Sequence, residues 1–404
     1  MRTADLDLDL LDDQRLVANA AERIGAPRAE IPGDRFSFVL HAPLELLARA
    51  ALLPLVEPWA RDEARARIEA LAADYETCGP ALEATATGAF DSLESAAAAL
   101  AGAVGGGDLA AIDVAAAWLG ARARPDQLRT LLGDLCLPAL AAAGHANIYL
   151  ALLGRTQPRG LPGQMLRHPA HALGLGPRDS IEIPAVTTGG SGDELLSRLA
   201  DITPVGPPAV PFIAPLLLHA QEKDVFAAVR EDDGRFRAPS SVPFEIIRFA
   251  AHTMLQGDPE QAPYGWTHCL TLAQAPLLIG AAGSDTGATT FVAAAYMAAH
   301  WAAYGTGHID LAYRPDPVGV DLRDALADDP ATAAAAAWHA PDRAGTAALL
   351  ATAASGHHDA HRVKYTLACL DAAACDPEAT PLYLAAAAYL NAWWVQRGLS
   401  VPMP

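Results

Sequence analysis

The chain has 404 residues, 52% of them hydrophobic and 19% charged, and carries a formal net charge of −19. That balance supports a sizeable apolar core and excludes extended intrinsic disorder. An acidic surface without a compensating basic stripe argues against nucleic acid as a partner and against docking to an anionic membrane.

The N-terminal stretch from Met1 to Gln14 is acidic and shows no apolar run of signal-peptide type. Apolar residues then recur at three- and four-residue spacing among good helix formers. This predicts helices over 43–53, 62–75, 92–103, 109–121, 125–135, 138–153 and 381–396. The punctuation between them is short, as in Cys78-Gly79-Pro80 and Gly105-Gly106-Gly107-Asp108, which suits helices packed as antiparallel neighbours. Alternating patterns are nearly absent, and 180–187 is the best strand candidate. From Arg155 to about Pro215, Pro and Gly are frequent and periodicity is lost. Residues 157–192 read as long loops over one end of the bundle, either a substrate lid or an ordered surface insertion. The expectation is one all-α domain over 1–404, a large multi-helix bundle with a Pro/Gly-rich loop insertion and no transmembrane run of about twenty uninterrupted apolar residues. Five scattered cysteines without a CxxC pair read as reduced thiols in a cytoplasmic protein.

Four of the thirteen histidines share a context, an apolar helical run with a turn signal close by. His41 lies in Leu40-His41-Ala42-Pro43-Leu44, His145 in Gly144-His145-Ala146-Asn147, His268 in Trp266-Thr267-His268-Cys269, and His361 in Asp359-Ala360-His361-Arg362. An imidazole in an apolar wall must find a partner, because burying it unpaired costs a few kcal/mol. For any one of them a backbone-bonded core histidine is the simpler reading; metal ligation would satisfy all four at once, each from a different helix. Of 28 basic residues only Lys223 and Lys364 are lysines. His361 and Lys364 are three apart and share a helical face, and the apolar run that follows Lys364 would bury it. A buried lysine is pushed towards the neutral amine, which can act as a base, form an imine or take up carbon dioxide as a carbamate. The alternative, an amine that snorkels to solvent or pairs with an acid, stays open.

At these residues the chain resembles the questin oxidase-like family, whose members oxidise anthraquinone and related polyketide rings. The likeness lies in His41-Ala42-Pro43-Leu44-Glu45-Leu46-Leu47, in Gly144-His145-Ala146-Asn147-Ile148-Tyr149-Leu150, in Trp266-Thr267-His268-Cys269-Leu270-Thr271 and in Asp359-Ala360-His361-Arg362-Val363-Lys364. The last is the most specific, and continues through Asp376-Pro377 and Leu382-Tyr383-Leu384-Ala385-Ala386; 155–239 matches nothing in the pattern. The resemblance implies a mononuclear non-haem Fe²⁺ held by His41, His145, His268, His361 and a carbamylated Lys364, with dioxygen and a small aromatic substrate as partners and oxidative C–C cleavage as the reaction. Catalysis would then fall to Lys364, His361 and His268. The chain departs from the family at Leu40, where Asn is usual, and at His358 and Asp359, where two acids are common. Asp359 and His358 are expected to support the last ligand from outside the metal shell.

Tyr264, Trp266 and Tyr365 neighbour these histidines and are expected in a pocket wall. His252, His300 and Tyr304 are further candidates for substrate contact, with structural roles and aromatic core packing as the alternatives. An NADPH-dependent Baeyer–Villiger reaction, described for some family members, finds no dinucleotide fingerprint here, since Gly105-Gly106-Gly107 follows no predicted strand. The adjacent His358-Asp359 also fits a His-Asp metal phosphohydrolase, but no histidine follows His361 to complete such a site. A non-enzymatic helical binding protein is the remaining competitor, and the sequence leaves the oligomeric state open, a homo-oligomer included.

Overall fold

The computed structural model describes residues 3–83, 90–140, 144–153, 166–170, 180–210, 213–240, 244–281 and 285–398, with side chains from residue 12 onward. Helices dominate these residues and one two-stranded sheet completes them, so the all-helical class expected from the sequence is the one adopted. The chain forms two compact units that interleave in sequence. One comprises Met1–Arg178 with Ser355–Lys364 and Val401–Pro404, the other Asp179–Ala354 with Tyr365–Ser400.

The first unit contains α1 (Thr3–Ile24), α2 (Phe36–Leu52), α3 (Arg61–Glu76), α4 (Leu93–Gly106), α5 (Leu109–Arg122), α6 (Pro125–Cys136) and α7 (His145–Leu153). Local chemistry fixes several of the ends. Ser92 and Ser95 exchange side-chain and backbone bonds as a capping box at the start of α4, and Gly107 closes that helix in the left-handed conformation (φ 71°). Asp108 then accepts from the Ala111 N–H and starts α5, while Pro125 opens α6 where its missing N–H costs nothing. The helix expected over 138–153 begins later, at His145, and 141–143 lie outside the described residues. Gly144 precedes it at φ 73°, a conformation that suits glycine, so the chain enters α7 from a turn.

α2 is the core helix of this unit. Val39, every residue from His41 to Arg49, and Leu52 are buried. His41, Glu45 and Arg49 are four apart, so they form one polar stripe along an otherwise apolar rod. The stretch Gly33–Leu55 holds an 18-residue window of mean hydropathy 1.5, long and apolar enough to cross a membrane by length and composition, although Glu45 and Arg49 interrupt it and it is not an uninterrupted apolar run. Two-thirds of it (67%) is buried inside the protein, which accounts for its hydropathy without a membrane.

The second unit contains α8 (Gly192–Ala200), α9 (Ile213–Glu222), α10 (Phe244–Gln256), α11 (Thr267–Gly280), α12 (Thr286–Tyr304), α13 (Leu322–Ala325), α14 (Pro330–His339), most of α15 (Arg343–Ser355), the larger part of α16 (Ala360–Cys375) and α17 (Thr380–Gln396). α12 is buried almost all round, and its alanines at 293–295, 298, 299, 302 and 303 let neighbouring backbones approach. Part of the predicted loop insertion is regular. Ser191 caps α8 by accepting from Glu194 N–H, and α9 begins at Ile213; 154–165, 171–179 and 211–212 lie outside the described residues, and with them half of the loop expected over 157–192. The expected strand is shifted towards the C-terminus. β1 (Val186–Gly190) pairs in parallel with β2 (Phe236–Pro239), Val186 opposite Phe236. Its position is set by this distant partner, whose Phe236 ring packs edge-on to Phe291 at 5.4 Å.

A buried carboxylate holds the entry to α17. Asp376 accepts two bonds from Arg248, at 2.6 and 2.7 Å, and one from the Tyr383 hydroxyl at 2.8 Å. Burial works against the ionised form, but these donors outweigh it and the Asp376 pKa falls below its ordinary value. A depressed folded pKa stabilises above the unfolded value of about 3.9 and is lost as pH drops through the folded value. Asp376→Asn is therefore expected to lower stability at pH 7 by about 1–3 kcal/mol and to flatten the acid limb of a urea-midpoint-against-pH curve; an unchanged limb would show that the carboxylate does not titrate with folding.

Candidate metal centre

The first unit brings His41, His145, His361 and Lys364 together. The ring centroids of His41 and His361 are 4.6 Å apart, and those of His41 and His145 are 4.8 Å apart with the rings at 88°. Two imidazoles bound at right angles to one divalent ion at about 2.1 Å would place their centroids about 4.5 Å apart. Three cationic rings this close and this buried would repel one another strongly, so the grouping suits neutral imidazoles. The exposures are 5% for His41, 1% for His145 and 4% for His361.

Backbone and carboxylate partners set the tautomers. His41 Nδ1 donates to the Ser37 carbonyl at 2.7 Å, one turn back on α2, so Nε2 carries the lone pair. Asp359 Oδ1 lies 3.3 Å from His361 Nδ1 and accepts the backbone N–H of His361 at 2.7 Å. The same carboxylate thus caps α16 and orients the ring on its first turn, an arrangement common among imidazoles that bind metals. Burial raises the cost of charge on Asp359, but the His361 ring and the backbone N–H groups outweigh it and take its pKa down to about 2. Burial, helped by the Lys364 charge, pushes His361 below its ordinary value and favours the neutral ring.

Lys364 is 4% exposed, and its Nζ has no hydrogen-bond partner among the described residues. Burial takes its pKa down to about 7, against the opposing pull of Asp359 and Glu45. The snorkelling alternative does not hold for this lysine. A buried amine with no partner invites a ligand, because its desolvation is otherwise uncompensated.

The segment that carries His361 and Lys364 reaches this unit from far along the chain and is pinned there by arginine. Arg49 donates to Glu45 at 2.6 and 2.8 Å, to the Ser355 carbonyl at 2.7 Å, and to the His357 carbonyl. Arg67 on α3 donates to the carbonyl between them, that of Gly356, at 3.1 Å. Three successive carbonyls at the end of α15 are thus held by guanidinium groups. Burial pushes the Glu45 carboxyl up even with Arg49 upon it. Glu45, Arg49 and His357 carried no sequence signal as site residues; only the four-residue spacing from His41 could have marked the first two. Asp359 lies beside the His361 ring. His358 is exposed and stacks on His357 at 4.4 Å, and it is His357 whose Nδ1 accepts the Asp359 N–H at 3.1 Å.

The other predicted site residues lie in the second unit. His268 repeats the His41 device, with Nδ1 donating to the Tyr264 carbonyl at 2.5 Å; Tyr264 sits in a π-helical turn, Ala262–Trp266, that leads into α11. Trp266 is fully buried, its Nε1 donates to the Asp258 carbonyl at 2.9 Å, and its ring packs on Trp301 and Tyr304. His300 donates from Nδ1 to the Tyr296 carbonyl, His252 accepts from Gln256, and burial takes both down to about 4. Tyr365 is buried beside Cys369 and Cys269. In their own unit Trp266, Tyr304 and Tyr365 pack as core aromatics. Compared with models of known families, with curated proteins and with solved structures, the chain matches none.

Removing Arg49 leaves Glu45 an uncompensated buried charge and two carbonyls without their donor. Arg49→Ala is expected to cost about 3–5 kcal/mol in urea unfolding. Arg124→Ala, which breaks an ion pair whose side chains are 68% and 57% exposed, is expected to cost at most about 0.5 kcal/mol. Equal losses would overturn the pinning role of Arg49.

Proposed function

We propose that the cluster in the first unit holds a divalent metal, Fe²⁺, and that the chain is a non-haem iron oxygenase that uses dioxygen to cleave a C–C bond in an aromatic, polyketide-like substrate. The observation that carries the reading is the placement of His41 with its ring centroid 4.6 Å from that of His361 and 4.8 Å from that of His145, in the same unit as the buried amine of Lys364, which has no hydrogen-bond partner among the described residues. The reaction and substrate class come from the resemblance to the questin oxidase-like family. The donor set fits the ion: neutral imidazoles suit Fe²⁺, and a hard anionic oxygen would complete them. Iron, when bound, supplies the redox chemistry towards dioxygen.

The residues contribute what a metal shell requires of a protein. The Ser37 carbonyl holds the proton on Nδ1 of His41, which keeps its Nε2 lone pair for ligation, and the Asp359 carboxylate stands 3.3 Å from Nδ1 of His361. Lys364, buried and near neutrality, can add carbon dioxide at Nζ, losing a proton to become a carbamate with carboxylate-like oxygens. The apolar residues of α2 around His41 keep water out and strengthen every charge interaction inside. The resemblance also names His268, whose local anchor is the same as that of His41.

Protein purified without oxygen and with bicarbonate present is expected to carry near-stoichiometric iron by elemental analysis. His41→Ala and His361→Ala should lose it, Lys364→Ala should weaken its retention, and His268→Ala reads the share of His268. Iron-loaded protein should consume oxygen with an electron-rich phenolic substrate. A wild-type protein that binds no divalent metal under these conditions sinks the proposal, and iron binding without oxygen uptake on phenolic rings sinks the assigned reaction.

A further inference from the structure

We infer that Tyr149 is a positioning residue that sets His41 against His145 through one hydrogen bond from its hydroxyl to the Leu40 carbonyl. The inference rests on reading the His41 cluster as a metal centre.

The need for such a bond comes from Pro43, which lies inside α2. Proline has no N–H, so the carbonyl four residues earlier, that of Val39, loses its helical donor, and the ring crowds the same turn. His41 sits between Val39 and Pro43, on the turn of α2 that is short of a backbone bond. A candidate ligand is thus carried by a turn that lacks one helical bond. Tyr149 adds a tether from outside, at the carbonyl next to the orphaned one. Its hydroxyl donates at 2.7 Å to the Leu40 carbonyl, directly before His41 in the chain.

The origin of that hydroxyl matters as much as its target. Tyr149 is four residues after His145 on α7, so the two side chains share a face. One bond therefore links the helix of one candidate ligand to the backbone beside the other, and spans the pair whose rings stand 4.8 Å apart. Tyr149 is itself fixed, at 1% exposure, with its ring parallel to His168 at 6.3 Å. His168 in turn bonds the Ile24 carbonyl at 2.7 Å through Nε2, which ties the stack to the end of α1. Burial raises the hydroxyl's pKa well above its ordinary value, so it stays a donor.

Tyr75 offers a control within the same unit. It is also fully buried and also donates to a carbonyl, that of Ala26 at 3.1 Å, but neither its helix nor its acceptor carries a candidate ligand. The test compares wild type, Tyr149→Phe and Tyr75→Phe, all loaded with Co²⁺ as the probe. Affinity is read by chelator competition, coordination by the d–d absorption, and folding by circular dichroism. Tyr149→Phe is expected to weaken Co²⁺ about 10–100-fold and to shift the absorption, while Tyr75→Phe stays within about twofold of wild type. Wild type that does not bind Co²⁺ overturns the metal reading and this inference together. Wild type that binds, with Tyr149→Phe binding equally or the two variants losing equally, overturns the inference alone. Pro43→Ala restores the missing N–H, so adding Tyr149→Phe in that background should cost less affinity than in the parent; an equal cost overturns the argument from the weakened turn. If Tyr149→Phe alone does not fold, the Co²⁺ absorption of the Pro43→Ala/Tyr149→Phe double variant is compared with that of Pro43→Ala, and an unchanged absorption overturns the inference.

Discussion

Everything proposed for this molecule depends on a buried arginine. Arg49 sits in the last turn of the core helix of the first unit at 2% exposure, where a guanidinium is tolerated only if its donors are met. Glu45 meets some of them from one turn away, and the carbonyls of Ser355 and His357 meet the rest. The second half of that arrangement turns a local helix pair into a long-range constraint, because 355–357 lies some three hundred residues along the chain. Without those carbonyls Arg49 would be an unsatisfied charge in a dry core. With them, the start of α16 is drawn to α2, and His361 comes to stand 4.6 Å from His41. The geometry of the cluster follows from where a buried donor finds its acceptors.

The same economy governs the rings. Two of the candidate ligands use a carbonyl one turn back, that of Ser37 for His41 and that of Tyr264 for His268, while Asp359 stands 3.3 Å from the His361 ring. Anchoring Nδ1 locally fixes the tautomer before any tertiary contact forms, so the Nε2 lone pairs of His41 and His268 are each presented by their own helix. His300 carries the same anchor, at Tyr296. The anchor is therefore not specific to a metal site; what distinguishes His41 and His361 is the company their rings keep, with each other and with Lys364.

This separates what the sequence made legible from what it could not. Helices over 62–75, 109–121 and 381–396 were readable because their apolar period is local, and the class followed from them. His361 and Lys364 were readable as a pair because three-residue spacing puts side chains on one face whatever the tertiary fold. The start of α7 at His145 was not, since 139–144 has helical composition in the sequence, while Gly144 takes the left-handed conformation just before the helix. β1 was misplaced because a lone strand is defined by its partner, and 236–239 is remote in the chain. Glu45, Arg49, His357 and Tyr149 were invisible as site residues for one reason. Each acts through a backbone carbonyl or a neighbouring side chain, and a carbonyl leaves no trace in the identity of the residue that bears it.

Charge accounting explains why Lys364 in particular suits the proposed role. Around it the buried charges nearly cancel, with Arg49 and Arg362 opposed by Glu45 and Asp359. A cationic Lys364 would leave one net positive charge in a low dielectric, which is why burial drives it towards the neutral amine. A divalent ion beside that neutral amine would leave an excess of two, a heavier burden than the cluster carries now. Converting the amine to a carbamate removes one unit of that excess and supplies an oxygen donor in the same step. An aspartate at 364 would bring the same charge, but only on a short side chain and permanently, so it would have to be buried as an anion before any metal arrived. Lysine enters the core neutral and becomes an anion only when there is a cation to face. On that account the rarity of lysine in this chain matters less than where this one lies.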